Sequence, residues 1–227
     1  MADKTRPKPS KSVENFLKAV YALQKENERV STNALAQALN ILPPSVTDMA
    51  RRLAETGLVD YQRYYGVRLT PDGEATALRV IRRHRLVELF LAQELGYALP
   101  EVHEEADQLE HVVSERFIRA IDARMGYPAI DPHGDPIPAE NGAITQRDLV
   151  PLAQLPDGAR GRVSRFSCDD AVLKYVLARG FALGTEVKII AKDPFDGPVT
   201  VSIDGRECAI GRTVAVCILV DPIHESG

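Results

Sequence analysis

The sequence predicts a mainly α fold that ends in a small β-barrel. Apolar residues recur at helical spacing up to about residue 125, a segment rich in Pro, Gly and Asp follows at 126–150, and alternating β patterns occupy the remainder. These changes predict three domains, at residues 1–73, 74–147 and 148–227. We expect a winged helix-turn-helix, a helical dimerisation domain and a five-stranded barrel, in that order.

The first domain has the pattern of a DNA-binding module. Helices are expected over residues 12–27, 32–39 and 43–56. Ser12 is the expected N-cap of the first helix, a break at 40–44 separates the other two, and Gly57 ends the third. Strands at 58–63 and 67–70 would form a β-hairpin wing. This order of elements is typical of winged helix-turn-helix proteins.

The distribution of charge favours the same interpretation. Residues 1–85 carry 15 Lys and Arg against 9 Asp and Glu, whereas residues 86–227 carry 13 against 23. A basic front half favours a nucleic-acid partner, and a protein-interaction domain of the same fold is the alternative. The side chains expected at DNA bases are Pro44, Ser45, Thr47 and Asp48, and those expected at phosphates are Arg51, Arg52, Arg63 and Arg68.

The middle of the chain concentrates side chains that bind metals. A long helix is expected after Thr70 and Pro71, with His84 and Glu88 one turn apart on one face. On a further helix from about residue 100, four such side chains would lie along one side: His103, Asp107, Glu110 and His111. Helical bundles present metal ligands in this way. The alternative is a solvated polar face with chance ion pairs.

These side chains, together with His133, offer imidazole nitrogens and carboxylate oxygens without a thiolate. Such donors suit Mn(II), Fe(II), Co(II) or Zn(II). The sequence has no HExxH and no nucleophile motif, so we expect a sensor, with a metalloenzyme as the alternative. No apolar run reaches the ~18 residues of a membrane span, and we expect a cytoplasmic protein without membrane contact.

The last domain alternates apolar and polar residues between glycine-rich turns. Strands are expected over residues 161–166, 185–191, 199–203 and 213–219. One short helix is expected over 169–178. This pattern indicates a small barrel.

Several segments carry a family resemblance. They are Val46–Met49, Gly57–Val59, Leu69–Gly73, Arg83–Leu86, Val102–Ala106 and Leu109–Ser114. In this order and spacing they resemble the diphtheria-toxin-repressor family of iron- and manganese-dependent transcriptional repressors, over roughly residues 12–220. The segment 131–138 resembles the longer, manganese-responsive members, which carry a C-terminal SH3-like (FeoA-like) domain.

The resemblance implies a homodimer with two metal sites in each subunit. The first set of ligands would be His84, Glu88 and His103, completed by Asp169 or Asp170. The second set would be Asp107, Glu110 and His111, joined by Asp131 and His133 of the loop. Family members also place Met or Asp on the first helix. The matching position here is Asn15, beside Glu14: Asn15 or Glu14 would serve as the ligand, or the loop ligands would compensate.

The resemblance also bears on the ion. The iron branch has Cys where this chain has Asp107, and streptococcal-type relatives have Cys where it has Asp131. Both replacements are harder oxygen donors, which favour Mn(II) and leave Fe(II) as the alternative. The implied function is a metal-dependent repressor of metal homeostasis genes, in which metal orders the dimer for a double-stranded DNA operator. A DNA-binding protein with purely structural metals is a further alternative.

Overall fold

The computed structural model describes residues 9–24 and 29–223. The chain divides into two compact units. The first unit comprises the described residues of Met1–His84, together with Asp107–Ile118 and Pro138–Ala143. The second comprises Arg85–Ala106, Arg119–Ile137 and the described residues of Ile144–Gly227.

Three helices open the first unit: α1 (Lys11–Gln24), α2 (Thr32–Leu39) and α3 (Pro43–Glu55). The predicted N-cap at Ser12 is wrong, because the Ser10 carbonyl accepts the Glu14 N–H and places Ser12 inside the first turn. The predicted residues 25–27 of this helix lie outside the described residues. Helix α2 ends at Asn40 in the left-handed region, with φ 52°, which confirms the break before α3.

The wing is an antiparallel hairpin of β1 (Val59–Gln62) and β2 (Gly66–Leu69), in which Val59 pairs with Leu69. Val30 adds a single bridge to β2, since its N–H and carbonyl each bond Val67 at 2.8 Å. The core of this domain is built from buried apolar side chains of all three helices and both strands, among them Phe16, Leu17, Val20, Leu35, Val46, Leu53, Val59 and Val67.

Helix α4 (Pro71–Glu94) follows Thr70, whose hydroxyl caps the helix by accepting the Gly73 N–H at 3.1 Å. A 3₁₀ turn (Leu99–Glu101) leads into α5 (Val102–Leu109), and α6 (Glu115–Arg124) follows. Because α5 ends at Leu109, Glu110 and His111 lie in the next turn, and the predicted stripe of four ligands on one helix is wrong. Ser114 is the N-cap of the next helix, α6, because its hydroxyl accepts the Phe117 N–H.

The described part of the second unit contains a six-stranded antiparallel sheet in the order β3-β8-β4-β5-β6-β7. Its elements are β3 (Val150–Pro151), a 3₁₀ turn (Leu152–Gln154), β4 (Arg160–Phe166), α7 (Asp170–Leu177), β5 (Glu186–Lys192), β6 (Val199–Ile203), β7 (Arg206–Ile210), α8 (Arg212–Cys217) and β8 (Ile218–Ile223). The predicted count of five strands is therefore wrong.

The predicted strand at 213–219 is also wrong, because most of it forms α8. Its β-branched residues mimic a strand, yet the Gly211 carbonyl accepts the Val214 and Ala215 N–H groups and winds a helical turn. Ala215 is buried there, and α8 packs on the 3₁₀ turn at 152–154. None of the described helices combines the length and the apolar character needed to cross a bilayer.

Gly66 provides a test of the wing's packing. A Cβ at Gly66, with φ +109°, would lie 2.3 Å from the Val30 carbonyl oxygen, whereas one at Gly57, with φ +74°, meets no atom within 4 Å. We expect Gly57→Ala to lower the free energy of unfolding by about 1–2 kcal/mol, the usual left-handed strain. Gly66→Ala should cost a further ~1–3 kcal/mol from overpacking. Urea titrations followed by circular dichroism measure both, and equal losses would contradict the steric explanation.

Candidate metal centre

In the first unit, three predicted ligands surround one point. His84 on α4 places Nδ1 2.6 Å from Oε2 of Glu110 and 3.4 Å from Oδ1 of Asp107. One donor atom from each of these residues lies within 4.8 Å of the others. His111 joins through its Nε2, 3.0 Å from Oε1 of Glu110. We call His84, Asp107, Glu110 and His111 the Glu110 cluster.

The first helix contacts this cluster twice. Lys18 on α1 donates to Oδ1 of Asp107 at 2.9 Å and to the two oxygens of Glu110 at 2.8 and 3.1 Å. Glu14, one turn earlier, places Oε2 2.5 Å from Nδ1 of His111. Its other oxygen accepts from Arg83 at 2.6 Å. Helix α1 of the DNA-binding domain therefore contacts the Glu110 cluster directly.

Of the two first-helix candidates, Glu14 is the residue that reaches the cluster. Its side chain is buried, and it contacts the predicted ligand His111. Asn15 instead lines a cleft between α1 and α3, with Ser45 and Asp48 on the opposite wall. The structure thus favours Glu14 over Asn15 as the first-helix partner of the cluster.

Electrostatics keep Glu110 ionised despite complete burial of its side chain. Burial alone would raise the pKa of Glu110, but the hydrogen bond with His84 and the charge of Lys18 outweigh it and hold the pKa below its ordinary value. Burial alone would likewise lower the pKa of Lys18, and Glu110 with Asp107 raises it instead. An ionised carboxylate is the form that a metal ion binds.

A second group of predicted ligands lies in the second unit. Glu88 on α4 is buried, and its two oxygens lie 3.1 Å from Nδ1 of His103 and 3.7 Å from Nδ1 of His133. Asp131 completes the group, because one donor atom each from Glu88, Asp131 and His133 lies within 4.8 Å of the other two. We call Glu88, His103, Asp131 and His133 the Glu88 cluster.

The loop that carries Asp131 is held in place by backbone contacts. The Phe166 N–H donates to the His133 carbonyl at 2.9 Å, which fastens the loop to β4. Oδ1 of Asp131 accepts the N–H groups of His133 and Asp135 at 2.8 and 2.9 Å. The buried carboxylate is therefore positioned before any ion binds.

The ionised form of Asp131 is less well stabilised than that of Glu110. Burial, followed by the charges of Asp135 and Glu88, raises the pKa of Asp131 to about 7, against the lowering effect of Arg85. Burial alone would lower the pKa of His133, but the adjacent Glu88 outweighs it and the pKa is raised. A divalent cation bound here would favour the ionised form of Asp131.

These contacts change part of the predicted grouping. Asp131 and His133 were expected with Asp107, Glu110 and His111, and the structure brings them to Glu88 instead, because the 131–136 loop is fastened to β4. His84 contacts Asp107 and Glu110, residues that were assigned to the other site. The predicted set of His84, Glu88 and His103 draws on both units and stays a prediction.

Asp169 and Asp170 were expected to complete a site. Asp169 is the N-cap of α7, where its carboxylate accepts the Val172 N–H at 2.8 Å. Asp170 is exposed in the first turn of the same helix. Within residues 9–24 and 29–223, neither belongs to a group of three potential ligands. Their predicted role is therefore not supported by the contacts of their carboxylates.

The donor sets fit a divalent ion of the first transition row. Each contains imidazole nitrogen and carboxylate oxygen, and each holds buried members that are already close together. Oxygen-rich sites with imidazole suit Mn(II), Fe(II) and Zn(II), and the absence of sulfur disfavours soft ions.

The predicted DNA-reading face of α3 is largely open. Pro44, Ser45, Asp48, Arg51 and Arg52 are exposed, as expected for residues that approach a duplex. Thr47 is half-buried and its hydroxyl donates to the Pro43 carbonyl at 3.2 Å.

The wing presents its residues unequally. Arg63 is exposed, with its guanidinium 4.9 Å from the ring centre of Tyr64. Arg68 instead pairs with Asp60 at 3.1 Å, and Arg29 binds the same carboxylate at 2.5 Å. The hydrogen bond from Arg29 lowers the pKa of Asp60. Arg68 is thus partly neutralised, which weakens its predicted role at phosphates.

Sequence reasoning missed two contributors. Lys18 contacts both carboxylates of the Glu110 cluster, and its spacing of four residues from Glu14 on a helix with a buried face was an available signal. Arg85 lies 3.5 Å from Oδ2 of Asp131 and 3.3 Å from Oδ1 of Asp135. No sequence pattern predicts the contact of Arg85 with this loop, because the loop is about fifty residues away along the chain.

The raised pKa of Asp131 predicts a pH dependence of stability. Its folded pKa of about 7 exceeds the ordinary value of 3.8, so the folded state holds a proton that the unfolded state has lost. Stability of the metal-free protein should therefore fall as pH rises between about 4 and 7, by at most ~1.4 kcal/mol per pH unit. Asp131→Asn, which keeps an oxygen acceptor, should raise the melting temperature more at pH 8 than at pH 5.

Thermal unfolding in the presence of a chelator measures this effect. Asp157→Asn, at an exposed position of the same unit, is the matched control and should show no such pH-dependent gain. A gain from Asp131→Asn that is equal at both pH values would contradict the assignment.

Three family models match successive parts of the chain. The N-terminal DNA-binding domain of iron-dependent repressors matches residues 8–67, and their metal-binding and dimerisation domain matches residues 70–139. The FeoA domain matches residues 150–222.

Named proteins of this type are similar along the chain. The iron-dependent repressor IdeR of Mycobacterium tuberculosis is 33% identical over 156 residues, covering 65% of this chain and 67% of its own. The diphtheria toxin repressor of Corynebacterium diphtheriae is 26% identical over 223 residues, covering 93% and 97%. A manganese-dependent transcriptional repressor solved in complex with manganese superposes with a TM-score of 0.87 and 38% identity, over 93% of this chain and 100% of its own.

These comparisons agree with the architecture. They confirm the predicted winged helix-turn-helix, the helical region and the C-terminal SH3-like sheet. They also confirm a regulator rather than an enzyme, since the matching proteins are repressors. The chain belongs to the diphtheria-toxin-repressor family of metal-dependent, DNA-binding transcriptional repressors.

Proposed function

We propose that this protein is a homodimeric repressor that binds its DNA operator when loaded with Mn(II) and controls genes of metal homeostasis. One observation carries the proposal: α1 of the DNA-binding domain contacts the Glu110 cluster through Lys18 and Glu14. An ion bound there acts on the helix that lines a cleft with α3. The proposed division into domains is 1–73, 74–147 and 148–227.

Two ions per subunit follow from the two clusters. We propose that His84, Asp107, Glu110 and His111 hold one ion, with Glu14 beside them. Glu88, His103, Asp131 and His133 would hold the other. When bound, each ion would supply the positive charge that these carboxylates attract. The protein's own side chains position the donors, since backbone N–H groups orient Asp131 and Glu14 orients the His111 ring.

A dimer is supported by exposed apolar side chains in the helical region. Val112 and Phe117 are 75% and 45% exposed, and they lie within the segment matched by the dimerisation domain. Contiguous exposed apolar surface commonly marks a protein interface. A dimer would place two α3 helices at half-sites one helical turn or more apart.

The choice of Mn(II) over Fe(II) rests on the donors. Asp107 and Asp131 are hard oxygen ligands, and neither cluster contains sulfur. The similar structure with a TM-score of 0.87 is that of a manganese-dependent repressor, whereas the similar IdeR is iron-dependent. Oxygen-rich donor sets tilt toward Mn(II) but are also compatible with Fe(II).

Metal-dependent operator binding is the first test. A duplex enriched from a randomised pool in the presence of Mn(II) is titrated with the protein in Mn(II) and in chelator. We expect Mn(II) to tighten binding by about 5- to 150-fold, the usual size of coupling between two sites.

Arg52→Ala should weaken binding to all sequences and reduce the salt slope by about one, because it removes a phosphate contact.

A control variant distinguishes metal-activated DNA binding from a purely structural role of the metal. Glu110→Gln, in the proposed site, should bind the duplex equally in Mn(II) and chelator, at the weak affinity of the metal-free protein. Equal affinity of the wild-type protein in both buffers would contradict metal activation and favour purely structural metals.

The ion preference provides a second test. Asp107→Cys replaces a hard oxygen with a thiolate, and we expect it to shift preference from Mn(II) toward Fe(II). Anaerobic titrations of DNA binding with each ion measure the ratio of activating concentrations. Asp107→Asn, which keeps an oxygen donor, is the matched variant. An unchanged ratio in Asp107→Cys would show that Asp107 does not determine selectivity, and activation of the wild type only by Fe(II) would contradict the choice of Mn(II).

A further inference from the structure

Lys18 lies where an ion in the Glu110 cluster would have to bind. Its ammonium is 2.9 Å from Oδ1 of Asp107 and 2.8 and 3.1 Å from the two oxygens of Glu110. About three quarters of its side chain is buried, with 26% exposed. The lysine therefore contacts two of the three residues, Asp107 and Glu110, whose donor atoms lie close together with that of His84.

The local charges explain why the lysine is there. The side chain of Glu110 is fully buried, and an ionised carboxylate in that position is strongly destabilising unless a positive group pairs with it. Lys18 supplies that charge, while His84 contacts the Oε2 oxygen at 2.6 Å. In the metal-free protein the ammonium stabilises the site that a divalent cation would otherwise stabilise.

The ammonium and a divalent ion compete for the same oxygens. Metal ligands of this type bind at about 2.0–2.2 Å, so an ion held by Asp107 and Glu110 would stand next to the ammonium in its present position. Two like charges at that separation repel strongly in a partly buried site. Binding of an ion at the cluster therefore requires Lys18 to leave the carboxylates.

We propose that Lys18 is a tethered cation that occupies the Asp107 and Glu110 carboxylates in the metal-free protein, so that metal must displace it. The inference rests on the proposed metal site. Its consequence is a weaker metal affinity than the donors alone would give, which sets the metal concentration at which the protein responds. Lys18 belongs to α1, which lines a cleft with α3. Displacement of Lys18 by metal would therefore also release the contact of α1 with the two carboxylates.

Metal titration of Lys18 variants tests the competition. The titrations use Mn(II) alone, by calorimetry at constant pH, in full-length protein carrying Glu88→Gln and His133→Ala so that only the Glu110 cluster is measured. Lys18→Met should tighten Mn(II) binding by about 5- to 150-fold, the usual size of the coupling between two binding events. Lys18→Arg keeps the cation, and Lys11→Met removes an exposed one from the same helix. Both should stay near the parent affinity.

A second measurement uses the wild-type protein and does not depend on how a variant folds. Acylation of lysines, quantified by mass spectrometry, should leave Lys18 protected without metal and reactive with Mn(II). Lys188, exposed on β5, should react equally in both conditions.

The outcomes separate this inference from the proposed function. Mn(II) binding of equal strength in the parent and Lys18→Met, or labelling of Lys18 that Mn(II) does not change, would overturn the role of Lys18 and leave the metal site intact. Absence of Mn(II) binding in the wild type as well would overturn the proposed function, and this inference with it.

Discussion

Pairing of the buried Glu110 carboxylate is the interaction on which the first unit depends. The side chain has no solvent exposure, so its charge must be balanced inside the protein. His84 of α4 and Lys18 of α1 provide that balance from two different helices. Because Glu110 follows α5, one carboxylate connects three segments that are far apart in sequence. A group in this position can couple its own binding state to the placement of a helix.

The two clusters show how environment sets the properties of similar carboxylates. Glu110 has a lysine and an imidazole against it, and its pKa is lowered. Asp131 lies near Asp135 and Glu88, and its pKa is raised to about 7. The Glu110 carboxylate is paired with Lys18 and His84, whereas the Asp131 carboxyl is buried close to two other acidic side chains. The same kind of ion would therefore meet a different electrostatic environment in each of the two sites.

Local rules account for most of the fold that could be predicted. Helices α2, α3 and α4 begin and end close to their expected residues, because Ser31, Asn40, Gly57 and Thr70 provide caps that act over a few residues. The strand predicted at 213–219 was wrong, because β-branched residues there are wound into α8 by tertiary packing. The stripe predicted on α5 was wrong for a similar reason, since Ser114 starts a new helix and leaves Glu110 and His111 in a turn.

The sequence by itself determined the kind of chemistry: a helix-turn-helix with a wing, and a set of histidines and carboxylates without thiolate in the middle of the chain. Spacing and residue type are sufficient for that, because caps, periodicity and donor chemistry are local properties. Only the tertiary structure decided which donors meet. It brought Asp131 and His133 to Glu88, placed Glu14 rather than Asn15 against His111, and set Lys18 against Glu110. Those contacts join residues 43 to 97 positions apart, and burial and charge balance in the folded protein select them.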